Sequence, residues 1–125
     1  MNVVLWILQV LLALVFLAHG LLVLMPPPEI AAQMNAALPR WFWLFLGVAE
    51  VLAAIGVTLP GVLRIQPRLV VWAAAGMAVV MISATIWHLV RSEWSSVGIT
   101  TVLLAMAAVV LYMRTVVRPI RKRGA

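Results

Sequence analysis

The chain of 125 residues has no cysteine. That excludes disulfides, thiolate metal sites and thiol redox catalysis by its own side chains. Acidic residues are scarce, three against nine Lys and Arg. No Gly-rich phosphate loop, nucleophile elbow or cysteine pair appears. The net charge of +6 does not mark a nucleic-acid binder, because aromatic and basic residues are not interleaved and five basic residues crowd between Arg114 and Arg123. Such a juxtamembrane basic tail sets topology or touches anionic lipid.

Apolar sequence is abundant: 66% of residues are hydrophobic, and the mean hydropathy is +1.19. Soluble domains are about 45–50% apolar. The excess falls into four runs, 2–25, 41–59, 69–90 and 97–113, each near the roughly 20 residues a helix needs to cross a bilayer. The first run lacks a basic start and carries Gln9 and His19, so it reads as a retained span rather than a signal peptide. Pro26-Pro27-Pro28 ends the first run, Leu59-Pro60-Gly61 the second, and Pro67 precedes the third. The short polar link Arg91–Ser96 predicts a tight antiparallel hairpin of the third and fourth helices. In the first connection, Pro28 and Glu29 suit a first helical turn, and Ile30, Met34, Ala37 and Leu38 share a face. This predicts a short interfacial helix, stopped by Pro39 and followed by belt residues Trp41 and Trp43. The expected fold is an all-α integral membrane four-helix bundle, one domain over 1–125, with a basic tail at 114–125.

Loop charge gives the expected orientation. Seven basic residues (Arg64, Arg68, Arg114, Arg118, Arg121, Lys122 and Arg123) share a side with both termini, against Arg40 and Arg91 opposite. The positive-inside rule then puts both termini in the cytoplasm.

Three ionisable groups interrupt the apolar runs: His19, Glu50 and His88. A carboxylate at mid-membrane costs on the order of 2.5–3.5 kcal/mol by insertion scales, so Glu50 needs a partner, a wet cavity or a task. At about 1.5 Å rise per residue, His19 and Glu50 differ in depth by about 4–5 Å, and His88 lies within a turn of the outer helix end. Small and polar residues form a stripe on each helix: Gln9, Ala13, Phe16 and Gly20; Gly47, Glu50, Ala54 and Thr58; Met77, Met81, Ala84 and His88; Thr101, Ala105, Ala108 and Tyr112. Each stripe should face the interior. His19 and Glu50 are expected in contact, with His88 facing the same cavity. Phe16, Met77, Met81 and Trp87 are expected to line an apolar slot beside Glu50. Two His and one carboxylate are also a metal-ligand set, but no spacing here supports a metal site.

Phe16-Leu17-Ala18-His19-Gly20-Leu21, Gly47-Val48-Ala49-Glu50-Val51-Leu52 with Gly56 and Pro60-Gly61, and Ala74-Ala75-Gly76-Met77 through Met81 and Ala84 to His88-Leu89-Val90-Arg91 carry a resemblance. On these residues the chain resembles the DoxX-like branch of the DoxX/DoxD family of small four-span bacterial membrane proteins. One departure is Val23, where many relatives have lysine. The resemblance implies a small membrane subunit of a redox system, since the family name comes from a subunit of a thiosulfate:quinone oxidoreductase. The expected function is therefore binding of a quinone or similar lipophilic molecule in an intramembrane polar site, in contact with membrane lipid and a redox partner. The alternatives are a non-catalytic anchor or assembly protein, and a small transporter acting as a homo-oligomer. The residues assign no catalytic role.

Overall fold

The computed structural model describes residues 2–66 and 68–121. Helices α1 (Asn2–Leu24), α2 (Pro28–Ala37), α3 (Arg40–Leu63), α4 (Arg68–Val90) and α5 (Trp94–Tyr112) follow in order, and a π-helical turn continues α5 over Met113–Val117. Lys122 and Arg123 of the basic tail, and Pro67 before α4, lie outside the described residues. No strand occurs among the described residues.

Among the described residues four helices are long and apolar enough to cross a membrane, each 23 or 24 residues when the π turn is counted with α5. At about 1.5 Å per residue that is about 35 Å, more than the roughly 30 Å hydrocarbon core. Their outward faces are apolar, as at Leu14, Phe45, Leu52, Val79 and Val102. The buried core is small by comparison and joins Leu12, Phe16, Val57, Met77, Ala107 and Val110 from four helices. Helix α1 packs chiefly on α3, and α4 on α5, with α3 against α4 joining the two pairs.

The α1–α3 pair is close because two glycines meet. A Cβ at Gly20 would lie 3.0 Å from the Gly47 carbonyl oxygen, and one at Gly47 would lie 2.7 Å from Leu24 Cγ. Small residues permit such backbone approach between membrane helices. Arg40, the first residue of α3, donates to the carbonyls of Val23 at 3.1 Å and Leu24 at 2.8 Å. It thereby satisfies acceptors that the end of α1 leaves open. Helix α2 begins with Pro28 and carries Glu29 in its first turn, as expected. Trp43 Nε1 ties it to α3 by donating to the Met34 carbonyl at 2.9 Å.

Two boundary expectations need correction. Helix α3 does not stop at Pro60 but runs on to Leu63, with the turn made by Arg64 at φ 56°. A proline inside a membrane helix is tolerated where packing compensates the lost bond, and here α3 remains packed on both sides. Helix α5 starts at Trp94 rather than 97, so the α4–α5 link is only Arg91–Glu93, with Ser92 at φ 56°.

The expected stripe on the last span is also off by one position. Tyr112 is 59% exposed, and the buried line is Thr100, Ala107, Val110 and Arg114. Thr100 is fixed by the Thr85 hydroxyl, which donates to its Oγ1 at 2.9 Å. Because α5 is apolar around its circumference, periodicity could not choose the face.

Candidate functional site

Glu50 is 2% exposed, in the α1–α3 seam beside the glycine contact. His19 Nδ1 donates to both its oxygens, at 2.8 Å to Oε2 and 3.0 Å to Oε1. A buried carboxylate is stable only when paired, and His19 provides the pairing from the facing helix. The expected His19–Glu50 contact is therefore present. The imidazole, however, is on the flank of the bundle: its side chain is 51% exposed beside a nearly enclosed carboxylate. With Nδ1 committed to Glu50, Nε2 has no protein partner among the described residues. A carboxylate on one ring nitrogen fixes the tautomer and orients the other. The couple can hold or release one proton at the edge of the bundle.

His88 does not join this pair. Its Nδ1 donates to Glu93 Oε1 at 2.8 Å, across the α4–α5 turn. The reason is proximity, since Glu93 follows five residues later at the helix end. Arg91 Nε also approaches Glu93, at 3.5 Å. The His88 hydrogen bond, followed by the Arg91 charge, holds the Glu93 carboxyl below the usual carboxylate range. A depressed folded pKa gives stability that is present above the unfolded value and lost as pH falls through the folded one. His88→Ala is expected to move the Glu93 titration back up toward ordinary carboxylates, read from its carboxyl-carbon NMR shift; an unmoved titration would leave Arg91 as the sole cause.

The expected apolar slot is filled. Phe16, Met77 and Met81 are 2%, 0% and 6% exposed and belong to one core cluster. Trp87 lies at the far end of α4, its ring under the Arg91 guanidinium at 5.3 Å. Among the described residues no three His, Asp or Glu side chains converge as metal ligands would.

A second buried polar cluster lies at the end of the bundle that carries the start of α1. Arg114, expected as part of a juxtamembrane basic tail, is 3% exposed. Its Nε donates to Gln9 Oε1 at 2.7 Å, and Nη1 to Asn2 Oδ1 at 2.6 Å and to the Arg118 carbonyl at 2.9 Å. Gln9 in turn donates to the Val57 carbonyl at 2.8 Å. Trp6 stacks on the guanidinium at 5.3 Å. The available sequence signal was spacing: Arg114 follows Val110 and Ala107 on the buried line.

The DoxX-like family model matches residues 7–110, which takes in most of all four spans, the His19–Glu50 seam and His88. Comparison with curated proteins finds no match, and comparison with solved structures finds none either. With four apolar helices in this order and a family match over most of its length, the chain is an integral membrane protein that belongs to the DoxX-like family.

Proposed function

We propose that this small integral membrane protein is a subunit of a membrane redox system that binds a quinone, or a similar lipophilic carbonyl compound, at the bundle surface beside His19. The observation that supports it most is the buried Glu50 carboxylate holding a half-exposed imidazole by its Nδ1. In its protonated form His19 donates from Nε2–H to a carbonyl oxygen while Nδ1–H stays on Glu50, and it can pass that proton to the group it binds. A bound quinone would supply two-electron chemistry, with electrons coming from a partner protein. Val15, Leu22 and Val51 are apolar neighbours in sequence or packing on these helices, suited to a ligand that arrives from lipid. The second reading, an assembly protein, is favoured by the same bond acting as a clasp between α1 and α3.

Glu50→Gln and His19→Ala separate the two. Gln still accepts from Nδ1–H, so Glu50→Gln should reach the membrane at normal abundance yet lose function. His19→Ala should lose the quinone that co-purifies with the wild type, measured by mass spectrometry of an organic extract. No quinone above that of an unrelated membrane protein would sink the proposal, and loss of abundance in Glu50→Gln would favour the clasp. The proposed orientation has both termini cytoplasmic, from seven basic residues against two. Reporter fusions after Ala125 and within the 26–39 connection should report opposite sides, with the first inside.

A further inference from the structure

We propose that the face carrying the start of α1 and the end of α5 holds a binding site for a phosphate-bearing anion, built on Arg114 and Arg68. The first observation is an imbalance of partners. Arg114 Nη2 is buried and makes no hydrogen bond among the described residues. Its other nitrogens meet only neutral acceptors: Gln9, Asn2 and a backbone carbonyl. A buried guanidinium without an anionic partner is costly, and a structure that keeps one commonly has a use for it.

The chain has no carboxylate side chain to offer there. Its three acids are Glu29, Glu50 and Glu93. Glu29 is in α2 and Glu93 in the α4–α5 turn, both at the opposite end of the bundle, and Glu50 is held by His19. No side-chain carboxylate lies at this end among the described residues, so an anion from another molecule can supply the neutralising charge.

The second observation is a place for it. A cavity of about 690 Å³ is bounded by Gln66, Arg68, Trp72, Arg114, Thr115 and Ile120. Arg68 is the first residue of α4, so the positive end of that helix dipole borders the same space. The π turn over Met113–Val117, closed by Arg118 N–H donating to the Met113 carbonyl at 2.6 Å, carries both Arg114 and Thr115. Such turns recur at functional sites because the extra residue redirects side chains. The remaining walls are apolar: Val71 and Pro119 complete the cavity, and Trp72 is 72% exposed on the flank of α4. Two arginines fit a phosphate, and the apolar wall fits hydrocarbon attached to it. The phosphate can therefore belong to a lipid headgroup or be free in solution.

The test is thermal unfolding of the full chain in a nonionic detergent, with added phosphatidylglycerol, phosphatidylcholine or inorganic phosphate. A ligand of the folded state raises the midpoint. Phosphatidylglycerol is expected to raise it and phosphatidylcholine not. Arg68→Gln, an exposed change that should fold normally, is expected to weaken apparent affinity about fivefold, as loss of one arginine near a lipid surface implies. Arg91→Gln on the opposite face should leave affinity unchanged. Arg114→Met combined with Gln9→Leu removes the buried bond from both sides and is expected to abolish the effect. A midpoint raised by inorganic phosphate with the same dependence on Arg68 supports the site and makes its ligand soluble; one raised only by the lipid supports the site and makes it a headgroup. If neither phosphate source acts, or if Arg68→Gln and Arg91→Gln weaken the lipid effect equally, there is no such site.

Discussion

Gly20→Val is expected to remove most of the protein from the membrane fraction. The first atom a side chain at Gly20 would meet is a backbone oxygen, that of Gly47, at 3.0 Å, followed by Val51 Cγ2 at 3.1 Å and Glu50 Cβ at 3.2 Å. A flexible side chain could turn away, but a helix backbone cannot without opening the seam. Overpacking costs about 1–3 kcal/mol where neighbours adjust, and more where they do not. The seam also carries the His19–Glu50 bond, so separation of α1 from α3 strips a buried carboxylate of its partner. Gly20→Ala should lie between the wild type and Gly20→Val. Gly76 and Gly98 have open space where a Cβ would stand. Their alanine variants should melt no lower than wild type, because alanine favours a helix over glycine by about 1 kcal/mol. Melting temperatures in detergent and membrane abundance read all four. A Gly20→Val protein as abundant and heat-stable as the wild type would mean that the seam is not tight.

Gln9→Leu is expected to be the next most damaging, although it makes the membrane segment more apolar. Gln9 is fully buried and accepts from Arg114 Nε while donating to the Val57 carbonyl. Leucine fills the volume but leaves a second guanidinium N–H without an acceptor, beside the Nη2 that already lacks one. Stranding a buried donor costs about 1–3 kcal/mol, more for a charged group. Removing both sides together should be far milder, since apolar residues of like volume replace buried ionic groups with little loss. The prediction is therefore non-additive: Gln9→Leu melts well below wild type, and adding Arg114→Met restores much of the difference. Two additive losses would show that the bond contributes no coupling.

The legible parts of this fold were those where composition leaves one choice. Uninterrupted apolar runs can only be spans, and Pro28-Glu29 could only begin a helix. Glu50 was legible as a group in need of a partner, and similar depth, with the Gly20 and Gly47 surfaces that allow close approach, points to His19 on the preceding long helix. Depth cannot choose between an inner and an outer flank, and so the imidazole was expected inside the bundle. His88 failed for a different reason: its nearest acceptor was five residues along the chain, and a local bond took precedence over a distant one. Arg114 reads in the sequence with its neighbours as a juxtamembrane basic tail, because a basic cluster after an apolar run usually is one. Only the π turn and the polar side chains of α1 at the same level, Asn2 and Gln9, explain why it goes in.

The half-exposed imidazole on the flank of α1 has a kinetic meaning. The lipophilic ligand proposed to meet it would diffuse in two dimensions, within the plane of the membrane rather than through water. Its effective concentration is then a mole fraction in the lipid, fixed by partitioning and diluted by every added phospholipid. If the proposed ligand binds there, its occupancy in vesicles should fall as lipid is added at constant protein and ligand, while occupancy plotted against ligand-to-lipid ratio should follow one curve.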